Sequence, residues 1–209
     1  MPTPSVPSTD LRGIALLLGL CLGCAAPSAP SPGSAPADVS PRWESAVDFA
    51  GLRTEYGERE DFSARCEDER PLTELMELAG RQAWDRALAV SERWLESCPV
   101  DMDAHYIAAV ALTELDREPE ARLHVDWYRG LVESVLASGD GHSPETAWRV
   151  ISVPEEYSIL RALRVDRKEQ SLLEGRIDVL TVEVEGRIRT LYFDPEPHFR
   201  RLQRKIRSR

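Results

Sequence analysis

From Leu72 to about Leu136 apolar residues recur at three- and four-residue intervals, and turn signals cut the stretch into four amphipathic helices. No other feature constrains the fold as strongly, because short helices of this kind persist only when their apolar stripes pack against one another. Leu72, Leu75, Met76 and Ala79 line the first helix, which Gly80 is expected to end. Trp84, Ala87, Leu88, Ser91, Trp94 and Leu95 line the second, stopped by Pro99. The third follows Asp101 or Asp103 as N-cap and is expected to bury Ala104, Ile107, Ala108, Ala111 and Leu115. The fourth starts at Pro119, suited to a first helical turn, with Ala121, Val125, Tyr128, Val132 and Val135 facing inward.

A shift of 34 residues lays Leu78 on Leu112, Ala87 on Ala121 and Trp94 on Tyr128. That spacing, the small residues at Ala87 and Ala121 and the proline at Pro99 resemble tetratricopeptide hairpins over residues 71–137. The second repeat carries Glu133 in place of the closing proline, and neither repeat has the usual early tryptophan. The resemblance implies a surface that binds partners rather than one that catalyses. Two hairpins are too few for a self-supporting solenoid, so other elements must cover them. A leading helix is expected from Ser40 to Tyr56, with Ser40 as cap, Pro41 at its first position and Trp43, Val47, Phe49 and Ala50 apolar.

Beyond Ser138 the pattern changes. Gly139-Asp140-Gly141-His142 reads as a turn, Ser143-Pro144 as the start of a short helix reaching about Val150, and Pro154-Glu155-Glu156 as the start of another with Tyr157, Leu160 and Leu163 inward. Over residues 177–193, Leu180, Val182 and Val184 alternate with polar neighbours. Glu185-Gly186 offers a tight turn, and Ile188, Thr190 and Tyr192 resume the alternation. A lone hairpin is marginal, so a third strand is expected from about Val165 to Leu173. The expected fold class is α+β: tetratricopeptide-like hairpins followed by a small antiparallel sheet, the meander spanning 164–193 within one domain of residues 41–199.

The chain ends carry different information. Gly13 to Leu22 is an apolar run of about ten residues, near 15 Å as a helix, which suits a signal segment and is too short to span a bilayer. It closes on Leu20-Cys21-Leu22-Gly23-Cys24-Ala25, which resembles the lipobox of bacterial lipoproteins, with Cys21 where that pattern prefers leucine. The resemblance implies a signal peptide over 1–23, acylation of Cys24, anchorage in a lipid bilayer and, with Ala25 next, delivery to the outer membrane facing the periplasm. A plain secretory signal or an uncleaved anchor are the alternatives. Residues 24–40, rich in Ala, Pro and Ser, read as a linker. In an oxidising compartment Cys66 and Cys98 are expected to form a disulfide. Net charge is −10 overall, yet the basic terminal segment 200–209 holds six cations and no acid, leaving −16 on the rest. An acidic body argues against nucleic-acid binding. The terminal run could be a solvated tail, a membrane contact through Phe199, Leu202 and Ile206, or a helix docking that stripe on the body.

Candidate chemistry is sparse. Asp140, His142, Glu155, Glu156 and Asp178 lie near element ends and are the residues a divalent cation would need, although turn and cap roles explain them equally. His105, His124 and His198 stand without a motif, and there is no Gly-x-Ser-x-Gly, His-Glu-x-x-His, phosphate loop or Cys-x-x-Cys. The order Gly139-Asp140-Gly141, Thr146-Ala147-Trp148, Glu155-Glu156-Tyr157, Asp178 and Leu191-Tyr192-Phe193 resembles an uncharacterised bacterial family known only as a domain of unknown function. The likeness covers about 45–200, including Asp103-Ala104-His105, and implies no activity or cofactor. The expected function is a membrane-anchored envelope lipoprotein that binds or scaffolds a protein or peptide, not an enzyme. A metal-dependent envelope enzyme using Asp140, His142, Glu155 and Glu156, and a structural accessory protein of the envelope, are the alternatives.

Overall fold

A computed structural model describes residues 47–67 and 69–207. The segment read as a signal peptide, Cys24, the 24–40 linker and residues 40–46 lie outside the described residues; within them the leading helix does not run on from Ser40 but begins at Phe49, where the Asp48 carboxylate caps it by accepting the Gly51 N–H. Six helices come first: α1 (Phe49–Glu58), α2 (Phe62–Cys66), α3 (Glu69–Gly80), α4 (Trp84–Ser97), α5 (Met102–Glu114) and α6 (Glu118–Leu136). A 3-10 turn (Pro144–Thr146), β1 (Trp148–Arg149), α7 (Val153–Leu163), β2 (Asp166–Leu173), β3 (Ile177–Val184), β4 (Arg187–Asp194) and α8 (Glu196–Arg207) follow.

The 34-residue repeat appears in the backbone as well as the side chains. Gln82 and Asp116 both take left-handed φ near +57°, and each sits in a matching helix end. There the Ala83 N–H donates to the Leu78 carbonyl at 2.9 Å and the Arg117 N–H to the Leu112 carbonyl at 2.8 Å. These bonds satisfy carbonyls that a helix end would otherwise leave open. Gly80, expected to end α3, is still helical, and Gln82 takes over the turn. Ala87 and Ala121 are fully buried where the paired helices meet. Asp101 is the N-cap of α5, its Oδ1 accepting the Ala104 N–H at 2.9 Å.

Three inward-facing assignments change. Leu78 is buried while Met76 is exposed, and Leu131 replaces Val125 on the inner face of α6. The reason in α6 is that the helix serves two cores: Ala121 packs with α3–α5, whereas Leu131 and Val135 pack with the sheet and α7. In β4 the buried residues are Leu191 and Phe193, not Ile188 and Thr190. A two-residue turn at Glu185-Gly186 pairs Val184 with Arg187, so Leu180 faces the same side as Leu191 and Asp178 the same side as Phe193.

The sheet order is β1-β4-β3-β2. The meander β2–β3–β4 is antiparallel, but β1 adds to β4 in parallel, so the sheet is mixed. The helix expected from Ser143 to Val150 is therefore a single 3-10 turn running into a short edge strand. Gly141 allows this: at φ +69° it brings its Cα against the Trp148 ring, where any Cβ would fall 2.7 Å from ring carbon.

The hairpins are covered as their number requires. α1 lies on α6, with the Phe49 ring edge-on to Trp127 at 5.5 Å, and α7 lies on α5 and α6. A Cys66–Cys98 disulfide, Cα atoms 5.3 Å apart, ties the end of α2 to the end of α4. Closing that loop restricts the unfolded chain by roughly 3 to 4 kcal/mol. The basic terminal run belongs to α8, and the expected boundary at 199/200 falls inside that helix. α8 docks through Arg201 rather than through its apolar stripe. The buried guanidinium donates to the carbonyls of Gly57 (2.6 Å) and Ile151 (2.7 Å) and to Glu67 (2.8 Å), and lies 4.2 Å from the Phe62 ring centre. Residues from Val47 onward form one compact unit with its own core.

Candidate functional site

The five polar residues singled out as possible cation ligands fold into three separate places. Asp140 and His142 stay on an exposed turn. The Asp140 Oδ1 accepts from the Thr146 hydroxyl (2.5 Å) and the His142 N–H (2.9 Å), bonds that hold the carboxyl below its ordinary range. Four further bonds tie the same turn to Thr146 and to the sheet. The Asp140 and Gly141 N–H groups donate to the Thr146 carbonyl, Trp148 Nε1 to the Gly139 carbonyl, and the Tyr192 N–H to the Gly141 carbonyl. The Gly-Asp-Gly pattern thus does architectural work.

Glu155 is buried in a bidentate pair with Arg53, at 2.8 and 2.7 Å, and also accepts the Ile151 N–H at 2.8 Å. Arg53 spends its remaining donors on the Arg149 carbonyl and the Ser134 hydroxyl. One ion pair therefore joins α1, α6, β1 and the start of α7.

Glu156 points the other way, into the core beside Asp178. It is fully buried, and neither of its oxygens has a donor in reach. Burial, then repulsion from Asp178, pushes its carboxyl up to about 9, so it is protonated at neutral pH and donates to the Asp178 carboxyl. Asp178 accepts from Gln170 Nε2 at 3.2 Å, and Gln170 in turn accepts from the Tyr157 hydroxyl and Arg167, both at 2.8 Å. Among the described residues no group of three or more His, Cys, Asp or Glu side chains is placed to hold a metal ion.

The histidines also find partners that no sequence motif announces. His105 is buried, stacked on Trp127 at 5.1 Å, with its Nε2 3.0 Å from the Pro99 carbonyl and its Nδ1 3.0 Å from His124 Nδ1. A carbonyl only accepts, so His105 carries its proton on Nε2 and His124 donates to its Nδ1. Burial pushes His105 down to about 4. His198 meets Glu67 at 3.0 Å; burial opposes ionisation of that carboxyl, but His198, Ser63 and Arg201 outweigh it and hold Glu67 down to about 2. Asp103 is gripped by Arg161 and the Ser158 hydroxyl, which joins α5 to α7. Sequence reasoning missed the buried Arg53 and Arg201 and the half-exposed Arg161, because nothing local distinguishes an arginine with a distant partner from the solvated ones around it.

Among the described residues two large recesses are open, beside a cavity of about 40 Å³ lined by Asp101, Asp103 and Glu155. One, of about 500 Å³, has an apolar floor of Leu163, Val165, Val182, Val184 and Leu191, with His142, Arg189 and Thr190 also lining it. The other, of about 760 Å³, lies between α8 and the β2–β3 turn. Glu156 and Asp178 line neither. The groove expected along the helical hairpins is taken up: α5 is buried on nearly all sides, with Asp103 held by α7 and His105 stacked on α6.

No curated protein and no solved structure matches the chain. A family model matches residues 54–204, a span that holds the Gly-Asp-Gly turn, both glutamates of α7, Asp178 and the Leu-Tyr-Phe strand. The chain belongs to the family described as Domain of unknown function (DUF4919).

Proposed function

We propose that this protein is a lipid-anchored component of a bacterial envelope that binds a protein partner and does no chemistry of its own. The observation that carries the reading is the contrast between sealed acids and an open apolar recess. The buried carboxyls of Asp103, Glu155 and Glu156 are committed to Arg161, Arg53 and the Asp178 pair; none lines either large recess, and the cavity that Asp103 and Glu155 touch is only about 40 Å³. The 500 Å³ recess is apolar at its floor and carries Arg189 and His142. That combination suits one apolar side chain of a partner with a carboxylate beside it. The tether rests on the Leu20–Ala25 pattern, and the Cys66–Cys98 disulfide agrees with an exported, oxidising location.

The two parts are tested separately. Cys24→Ser in the full chain releases the protein from the membrane fraction; retention there would reject the acyl anchor. A photoreactive benzoylphenylalanine at Thr190 gives one defined adduct in intact membranes, and Leu163→Asp in the recess floor abolishes it. An adduct of equal yield from the same probe at the exposed Glu114, or no adduct at all, would sink the binding role.

A further inference from the structure

We propose that the C-terminal half of α8 is a contact surface for the phosphate plane of an anionic lipid bilayer. The location rests on the envelope reading above, but the contact itself needs no acyl chain.

α8 is amphipathic in the reverse sense. An ordinary surface helix turns its apolar stripe inward and its charges to water. Here the inward side is cationic. Arg201 is buried, His198 lies on Glu67, and Arg200 and Arg204 share Glu58 at 2.5 and 3.7 Å. Leu202 and Ile206 face outward at 46 % and 66 % exposure, and Leu173 of the β2–β3 turn continues the apolar patch across the recess. Such a patch marks something that covers it.

Charge selects what that is. After Glu196 the helix has no acid, and the cations beside Leu202 and Ile206 are Lys205 and Arg207, Arg204 being turned inward to Glu58. At about 100° per residue, Lys205 flanks one side of the stripe and Arg207 the other. Glu58 and Glu196 meet Arg200 and Arg204, so the cations turned to the stripe are Lys205 and Arg207. A narrow apolar stripe between cations fits the boundary of headgroups and acyl chains, the apolar residues entering and the cations meeting phosphates. The recess beside the stripe also carries the acids Glu145, Glu174, Asp194 and Glu196, which confines the proposed contact to residues 202–207. The −16 on the rest of the chain repels an anionic surface, so only this end can approach one.

The length of chain before the described unit agrees. Residues 25–46 can reach roughly 70 Å when extended. They lead into α1, about 15 Å long, whose far end holds Glu58, the residue α8 grips. Anchor and helix can therefore engage one bilayer together, each raising the effective concentration of the other. The partner recess lies at the opposite end of β3, about 23 Å from Ile177, and would face away from the lipid.

The test is vesicle sedimentation with the polypeptide 25–209, which lacks the acyl chain. Partition onto vesicles of about one-third phosphatidylglycerol exceeds that onto pure phosphatidylcholine by at least about tenfold at low salt, and falls as salt rises. Lys205→Glu with Arg207→Glu lowers it by about twentyfold or more, while Lys205→Arg with Arg207→Lys retains it. Equal partition onto both vesicles, or binding that survives the double charge reversal, overturns the proposal. So does a dimer in solution that Ile206→Asp dissociates, since a second copy would then be what covers the stripe. None of these results depends on Cys24, so failure here is separable from failure of the anchor.

Discussion

Glu156→Gln stabilises the protein at pH 7.5 by up to about 4 kcal/mol and leaves it nearly unchanged at pH 4.5. The carboxyl is fully buried beside Asp178, with a folded pKa of about 9 against an ordinary value of 4.5. Because the folded value lies above the unfolded one, the native state keeps a proton that the unfolded chain releases throughout this window. Stability from this group is thus fully present below about pH 4.5 and declines as pH rises toward 9. Glutamine keeps a donor toward Asp178 at nearly the same volume and has no proton to lose. Thermal unfolding of both proteins from pH 4.5 to 8 measures the difference, at about 2 to 4 °C per kcal/mol for a chain of this size. Parallel stability curves would mean that Glu156 is not held neutral.

Arg53→Ala has the opposite sign and no comparable pH signature. It strips the bidentate partner from Glu155 and leaves the carboxylate in the core with the Ile151 N–H donating to it. Breaking a buried pair from one side costs about 3 to 5 kcal/mol, a large part of the stability of an ordinary domain. The melting temperature is expected to fall by on the order of 10 °C. The damage has a location: Arg53 also holds the Arg149 carbonyl, so amide exchange at Val150 and Ile151 quickens before the hairpins open. Arg53→Met combined with Glu155→Leu removes both charges and recovers most of the loss. A loss below about 1 kcal/mol for the single change would show the pair to be solvated.

Much of the architecture was legible from residue order because it depends on periodicity and local turn chemistry. The boundaries at Asp101 and Pro119 follow from a cap and a first-turn proline, each acting within a few residues, whereas the turn before Trp84 is made by Gln82 and not by the expected Gly80. The β3–β4 turn was equally readable, but its consequence was not drawn: a two-residue loop reverses which residues of β4 face inward, so Leu191 and Phe193 are core and Ile188 is not. The short parallel strand at Trp148 was hidden, since two residues carry no alternation and its partner lies 45 positions away at Phe193.

The candidate site was less legible. Asp140, His142, Glu155, Glu156 and Asp178 sit close in the chain or near one another's element ends, which made a cluster plausible. Adjacent residues on a helix diverge by about 100°, so Glu155 and Glu156 had to face different neighbours, and which neighbours depended on where α1 and β3 lay.

Residue order alone determined the helical repeat, the hairpin strands, the pairing of Cys66 with Cys98 and the membership in the family, because each is a matter of spacing along the chain. Only the tertiary structure decided which charges are buried. Arg53, Glu155, Glu156 and Arg201 look like any surface residue in sequence, and their partners lie on elements brought together by packing. A charge is stable in a core only when a specific distant group meets it, and that meeting is a property of the fold.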